Sequence, residues 1–255
     1  MHFLSRSQLS SAVKLFPPKF ALCLPSKTED SGFGDLFIGG GSYFLPPYQY
    51  DASRLFTTVS LISNETSFDE YFFQVKSIEI DEKAVPLKSP MILSKLSTVV
   101  PFTVLHHSIY EPFVKEFKSK ASSRKMVEAK AKVSSFEVCY RVKKGFNMED
   151  VPVIDLTVGS GGRRWRIYGR NSMVVVKKGV MCLAFVRGGG GEDREEMVIV
   201  GGYQMEDSLV EIDLQSSKLS FTSSLLRYNT SCSHFRPVST DIGGRVAYTK
   251  QVVIS

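Results

Sequence analysis

Residues 94–117 read SKLSTVVPFTVLHHSIYEPFVKEF, and this stretch decides the fold. Residues 96–100 are a short apolar, β-branched run. Pro101 and Phe102 turn it, and residues 103–105 resume the extended pattern. Ser108 and Glu111 stand at capping-box spacing. Ile109, Phe113 and Phe117 follow at i, i+4 and i+8, with Tyr110 and Val114 beside them, which predicts a helix with one apolar face. The segment is expected to run strand, hairpin-like turn, strand, helix. Residues 94–100 contain no carboxylate.

Outward from this stretch the chain is a series of short strands. YFFQVKSIEI at 71–80 is the longest, turned by Asp81-Glu82-Lys83. Shorter strands are predicted at 19–24 (KFALCL), 36–38, 55–61, 136–142, 153–158, 164–168, 172–176, 180–186, 197–200, 208–214 and 219–222. A second helix candidate spans 7–16 and is stopped by Pro17-Pro18. Many short strands with two helices predict a mainly β domain. No internal repeat or linker divides it.

The chain has 255 residues, 43% of them apolar, which is enough for one large domain or two small ones. No apolar run reaches membrane-spanning length, so no membrane partner is expected. Residues 1–16 lack the apolar core of a secretory signal. The formal charge is +6. Its Lys and Arg are dispersed among Asp and Glu, which argues against nucleic acid and for an acidic polysaccharide or acidic protein partner. Cys23, Cys139, Cys182 and Cys232 form no Cys-x-x-Cys, so neither a zinc nor a redox motif is expected, and three disulfide pairings remain open. Asn64-Glu65-Thr66 and Asn229-Thr230-Ser231 are N-glycosylation acceptor tripeptides.

Several residue groups invite a catalytic reading. Asp30-Ser31-Gly32 follows the charged Lys27-Thr28-Glu29 rather than an apolar strand, so Asp30 reads as a turn residue. His106-His107 would point to opposite faces of an extended chain, so no shared metal site is expected. The glycines at 188–191 precede four acidic residues within 192–196 and lack Gly-Lys-(Ser/Thr), which fits a surface hairpin rather than a phosphate loop. Asp155, Asp207 and Asp213 lie in or beside strands and read as structural. No cofactor is implied.

KLSTV followed by PFTVL resembles the second catalytic motif of pepsin-type aspartic proteases, in the form similar to a plant branch of that family. The branch holds extracellular dermal glycoproteins, basic seed globulins and cereal xylanase inhibitors. WRIYGRNSMV at 165–174 and VIVGGYQMEDSLVEIDLQSSKLSF at 198–221 resemble the closing strands of the same branch. The resemblance implies a mainly β C-terminal lobe of a pepsin-like fold with one or two short helices, over residues 1–235. Residues 236–255 are a tail with no counterpart.

On that frame Ser97 occupies the position of the catalytic Asp, and Thr98 keeps a hydroxyl. The resemblance further implies the pairs Cys23–Cys232 and Cys139–Cys182, an oxidising extracellular or cell-wall setting, and a missing N-terminal lobe that carries the first Asp. It implies an inactive protein that inhibits microbial glycoside hydrolases in plant defence. A cation would probe the paired carboxylates of the target's cleft. Arg227, shortly before Cys232, matches the position of one inhibitory Arg, and Lys143 lies loosely where the branch has a second. Cereal xylanase inhibitors carry His at the first position, where this chain has Leu226-Arg227, so xylanase is the less expected target. The alternatives are an aspartic endopeptidase and a storage or structural wall protein.

Overall fold

In the longest strand, Phe73 and Val75 share one phase of the alternation, Ile78 and Ile80 the other, and all four are buried. A β-bulge reconciles them. Ser77 pairs with Thr157 and Val75 with Val158, so Lys76 is the extra residue and the inward face resumes beyond it. Asp81 and Glu82, both at positive φ, then turn the chain.

The computed structural model describes residues 17–26, 33–45, 50–62, 70–129, 133, 135–189, 196–234 and 252–253. In chain order these form β1 (Lys19–Cys23), β2 (Phe33–Ile38), β3 (Phe44–Leu45), β4 (Tyr50–Asp51), β5 (Thr57–Ser60), β6 (Phe72–Ile80), β7 (Lys83–Ala84), β8 (Ile92–Leu96) and β9 (Thr103–Leu105). After α1 (His107–Ser123) come β10 (Val127–Glu128), β11 (Cys139–Arg141), β12 (Ile154–Val158), β13 (Arg163–Ile167), β14 (Met173–Lys177), β15 (Val180–Leu183), β16 (Phe185–Arg187), β17 (Met197–Val200), β18 (Leu209–Asp213), β19 (Lys218–Phe221) and β20 (Val252–Val253). The 7–16 helix, the 30–32 tripeptide, Asn64 and most of the 236–255 tail lie outside the described residues.

The chain forms two compact units, one of residues 1–73 and 205–255, the other of residues 74–204. The first holds a six-stranded sheet in the order β20-β2-β1-β18-β19-β5. Its core gathers Ala21, Cys23, Tyr43, Leu209, Leu225 and Cys232, all nearly without solvent contact, and the Cys23–Cys232 disulfide closes it. The second holds the sheet β13-β12-β6-β8-β17-β9-β16 and a four-stranded sheet β10-β11-β15-β14, stapled by Cys139–Cys182 across directly paired strands. Buried Ile109, Tyr110, Phe113 and Phe117 line one face of α1, and Phe113 stacks 5.0 Å from Phe185.

Three local expectations are corrected. The strand ends at Leu96, not Val100, because the Ser97 hydroxyl and Pro101 bend the chain away. The strands on either side of that bend are not a hairpin, because β17 lies between them, parallel to β8 and antiparallel to β9. The helix cap is His106 rather than Ser108. Ser108 Oγ is instead 2.6 Å from Glu196, and Glu111 pairs with Arg187 at 2.6 Å.

Candidate functional site

Ser97 follows directly on β8 and is half-buried. Its N–H donates to Val200 O at 2.9 Å, and its Oγ accepts from Val99 N at 3.2 Å and Val100 N at 3.3 Å. The hydroxyl therefore closes the 97–100 turn. The chain after β17 packs against the other side of the loop. Gly202 N donates to Val100 O at 3.0 Å, and Tyr203 N to Pro101 O at 2.8 Å. A Cβ at Gly201 would stand 2.4 Å from the Phe102 carbonyl carbon, so only glycine allows this approach.

Beneath the loop lies Gln204, 1% exposed. Its Oε1 accepts from both Thr103 N and Thr103 Oγ1 at 2.8 Å, and its Nε2 donates to Asn171 O and Ala184 O at 2.9 Å. One side chain thus joins β9, the turn at Gly169–Ser172 and the β15–β16 junction with every amide valence used. Thr103 Oγ1 in turn accepts from Gly201 N at 3.2 Å. The resemblance of residues 198–221 to the closing strands of the branch covers Gln204 without giving it a task. A lone glutamine has no periodicity that would show its amide to be buried.

Arg227 lies on a different turn, Leu225–Tyr228, in the other compact unit. Leu225 is fully buried and anchors the turn, while Arg227 and Tyr228 are exposed. Leu225 N donates to Asp207 O at 2.7 Å, and Cys232 N to Asp207 Oδ1 at 3.0 Å, so one buried aspartate holds both ends of the segment. Asn229, also exposed, ends the turn at φ +53, a left-handed conformation that Asn tolerates. Lys143 is exposed beyond β11, in the unit that does not contain Arg227.

The remaining charged candidates have structural partners. Asp155, 2% exposed, receives Arg166 bidentately at 2.8 and 2.9 Å across β12–β13. Burial would raise the Asp213 carboxyl, but hydrogen bonds from Ser216 and Lys19 outweigh it and hold the group below its ordinary value. Burial alone pushes Asp35, on β2, up to about 6. The His106 and His107 rings lie 4.1 Å apart, because His107 opens a helix rather than continuing a strand, and this corrects the extended-chain expectation. Burial, then His107, hold His106 below its usual value against the opposing pull of Glu196. Among the described residues, no group of three metal-ligating side chains forms.

Residues 70–223, more than half of the chain, match the family described as xylanase inhibitor C-terminal. The chain belongs to this family. This xylanase-inhibitor C-terminal chain is 36% identical over 250 residues to a Nicotiana benthamiana protein described as probable aspartic proteinase GIP2, covering 88% of this chain and 54% of that one. It is 34% identical over 226 residues to gamma conglutin 1 of Prunus dulcis, covering 86% and 50%. It matches the crystal structure of edgp with a TM-score of 0.75 at 30% identity, over 90% of this chain and 59% of that one. The chain spans about half the length of the curated relatives it matches. Its mainly β architecture is that of a plant pepsin-like C-terminal lobe.

Proposed function

We propose that this chain belongs to a catalytically inactive, extracellular pepsin-fold protein that binds and inhibits microbial wall-degrading glycosidases. The observation that carries the reading is the Leu225–Tyr228 turn. Its buried leucine and the nearby disulfide fix the backbone, while Arg227 stands outward as a cation suited to paired carboxylates. Lys143 supplies a second exposed cation in this reading. The family match supports inhibition as the activity. Two disulfides suit an oxidising compartment.

Inactivity is supported by the composition of the Ser97 loop. Aspartic catalysis needs two carboxylates sharing a proton. Residues 94–110 contain none, and the Ser97 hydroxyl is occupied with closing its own turn. Relatives described as probable aspartic proteinases favour the opposite reading, which pepstatin-sensitive cleavage of casein at acid pH would establish. Similarity to gamma conglutin favours a storage role, marked by seed abundance without glycosidase affinity.

The test is inhibition of a microbial endoglucanase and a xylanase by the purified chain. We expect endoglucanase inhibition to exceed xylanase inhibition, and Arg227→Ala to weaken it by at least about tenfold in a variant that circular dichroism shows to be folded. Failure to bind either enzyme would overturn the reading.

A further inference from the structure

The end of the four-stranded sheet carries a concentration of charge of which the proposed inhibition uses only Lys143. β11 leaves the sheet with Arg141, Lys143 and Lys144, and β14 turns into β15 through Lys177, Lys178 and Gly179. These segments are neighbours. Arg141 pairs with Val180, and the ladder extends one residue further, with Val142 N donating to Gly179 O at 2.9 Å. Lys143 and Lys144 are thereby set against the turn that bears Lys177 and Lys178.

All five cations are exposed. None is among the ion pairs of the described residues, whereas Arg124, Arg164, Arg166 and Arg187 each hold a carboxylate. The acids closest in sequence and register are Glu128, Glu137, Glu149 and Asp150, of which Glu137 is held by Arg187. Glu128, opposite Tyr140, is already engaged by Lys118, and Glu149 and Asp150 sit in the helical turn that follows. Five like charges held together by backbone pairing repel one another and gain nothing from the fold. An external polyanion relieves that repulsion.

We propose that this sheet end binds a linear acidic polysaccharide, a polymer with one carboxylate on each sugar. Lysine ammonium groups are hydrated point charges that meet spaced single carboxylates without a fixed fork geometry. Single-stranded nucleic acid is disfavoured, because its binders stack bases on aromatic platforms and the one aromatic residue of the two turns, Phe146, is half-buried. The backbone amides of Val142 and Phe146 are taken up by Gly179 O and Lys143 O, so they are not free to cradle phosphate. The site is independent of Arg227.

The probe is polygalacturonate, with a neutral β-glucan and a DNA duplex as comparison polymers, in affinity electrophoresis of the full chain. Retardation by polygalacturonate but not by the neutral glucan is expected, and raising salt from about 0.02 to about 0.5 M should abolish it. Lys143→Glu/Lys144→Glu/Lys177→Glu/Lys178→Glu should weaken binding at least about tenfold, the loss expected when a cluster of charge contacts is reversed. A control with the same net charge, Lys115→Glu/Arg163→Glu/Arg170→Glu/Lys218→Glu, should keep most of it. Arg227→Ala should retain full binding, which separates this result from that of the inhibition assay. Equal loss in the control, or duplex binding as tight as polygalacturonate binding, would overturn the proposal, as would no retardation at all. Circular dichroism of each variant confirms that it folds.

Discussion

The loop at 97–102 and the turn at Leu225–Tyr228 both reverse the chain with few residues, yet they spend their side chains in opposite directions. In the first, the Ser97 hydroxyl points back onto the amides of Val99 and Val100, and the loop carbonyls receive Gly202 N and Tyr203 N. Gly201 lies so close to Phe102 that no side chain fits between them. In the second, Leu225 is the one buried residue of the four in the turn, the buried Ser224 before it makes no capping bond, and Arg227, Tyr228 and Asn229 are exposed. A loop that is fixed by its own polar groups has little left to present to a partner. A loop that is fixed by an inward leucine, by the buried Asp207 at both ends and by one flanking disulfide carries its cation at the surface.

This contrast breaks most readily beneath the first loop. Gln204→Leu leaves Thr103 N, Asn171 O and Ala184 O without their buried partner, and should cost about 3–5 kcal/mol in denaturant unfolding. A loss under about 1 kcal/mol would show that the amide is replaceable and that the loop rests on packing alone. For the second loop the tie is covalent. Cys23→Ala/Cys232→Ala opens a closure spanning 209 residues and should cost about 2–5 kcal/mol. Hydrogen exchange at the Arg227 and Asn229 amides should accelerate with it, and unchanged exchange would assign the rigidity to Leu225 instead. The smallest effect sharpens the comparison. Ser97→Ala removes two weak turn bonds and should cost about 1 kcal/mol, with no change in glycosidase inhibition. Any change in inhibition would place the 97–102 loop in the interface.

Much of the architecture was legible in residues alone. Alternation located β6, short strand-forming runs between turn residues located β12, β13, β17 and β18 to within about two residues, and the spacing of Ile109, Phe113 and Phe117 located α1. Its cap was misread because capping-box spacing is a local rule, and both members were claimed by distant partners, Ser108 by Glu196 and Glu111 by Arg187. The apolar run at 96–100 looked like strand because composition cannot register that a serine will turn back on the two amides after it.

The sequence by itself determined the class of this protein: a mainly β chain of the xylanase-inhibitor C-terminal family, with no acid in its Ser97 loop. Side-chain type and short-range spacing are local properties and suffice for the mainly β class, while the family rests on the resemblance of whole motifs and the match over residues 70–223. Only the tertiary structure decided that β17 separates β8 from β9, that Gln204 joins three segments, and that Lys143 and Lys144 meet Lys177 and Lys178 at one sheet end. Each of these depends on strand register between residues tens of positions apart. Register is set by which faces become buried together, not by any one segment's own pattern.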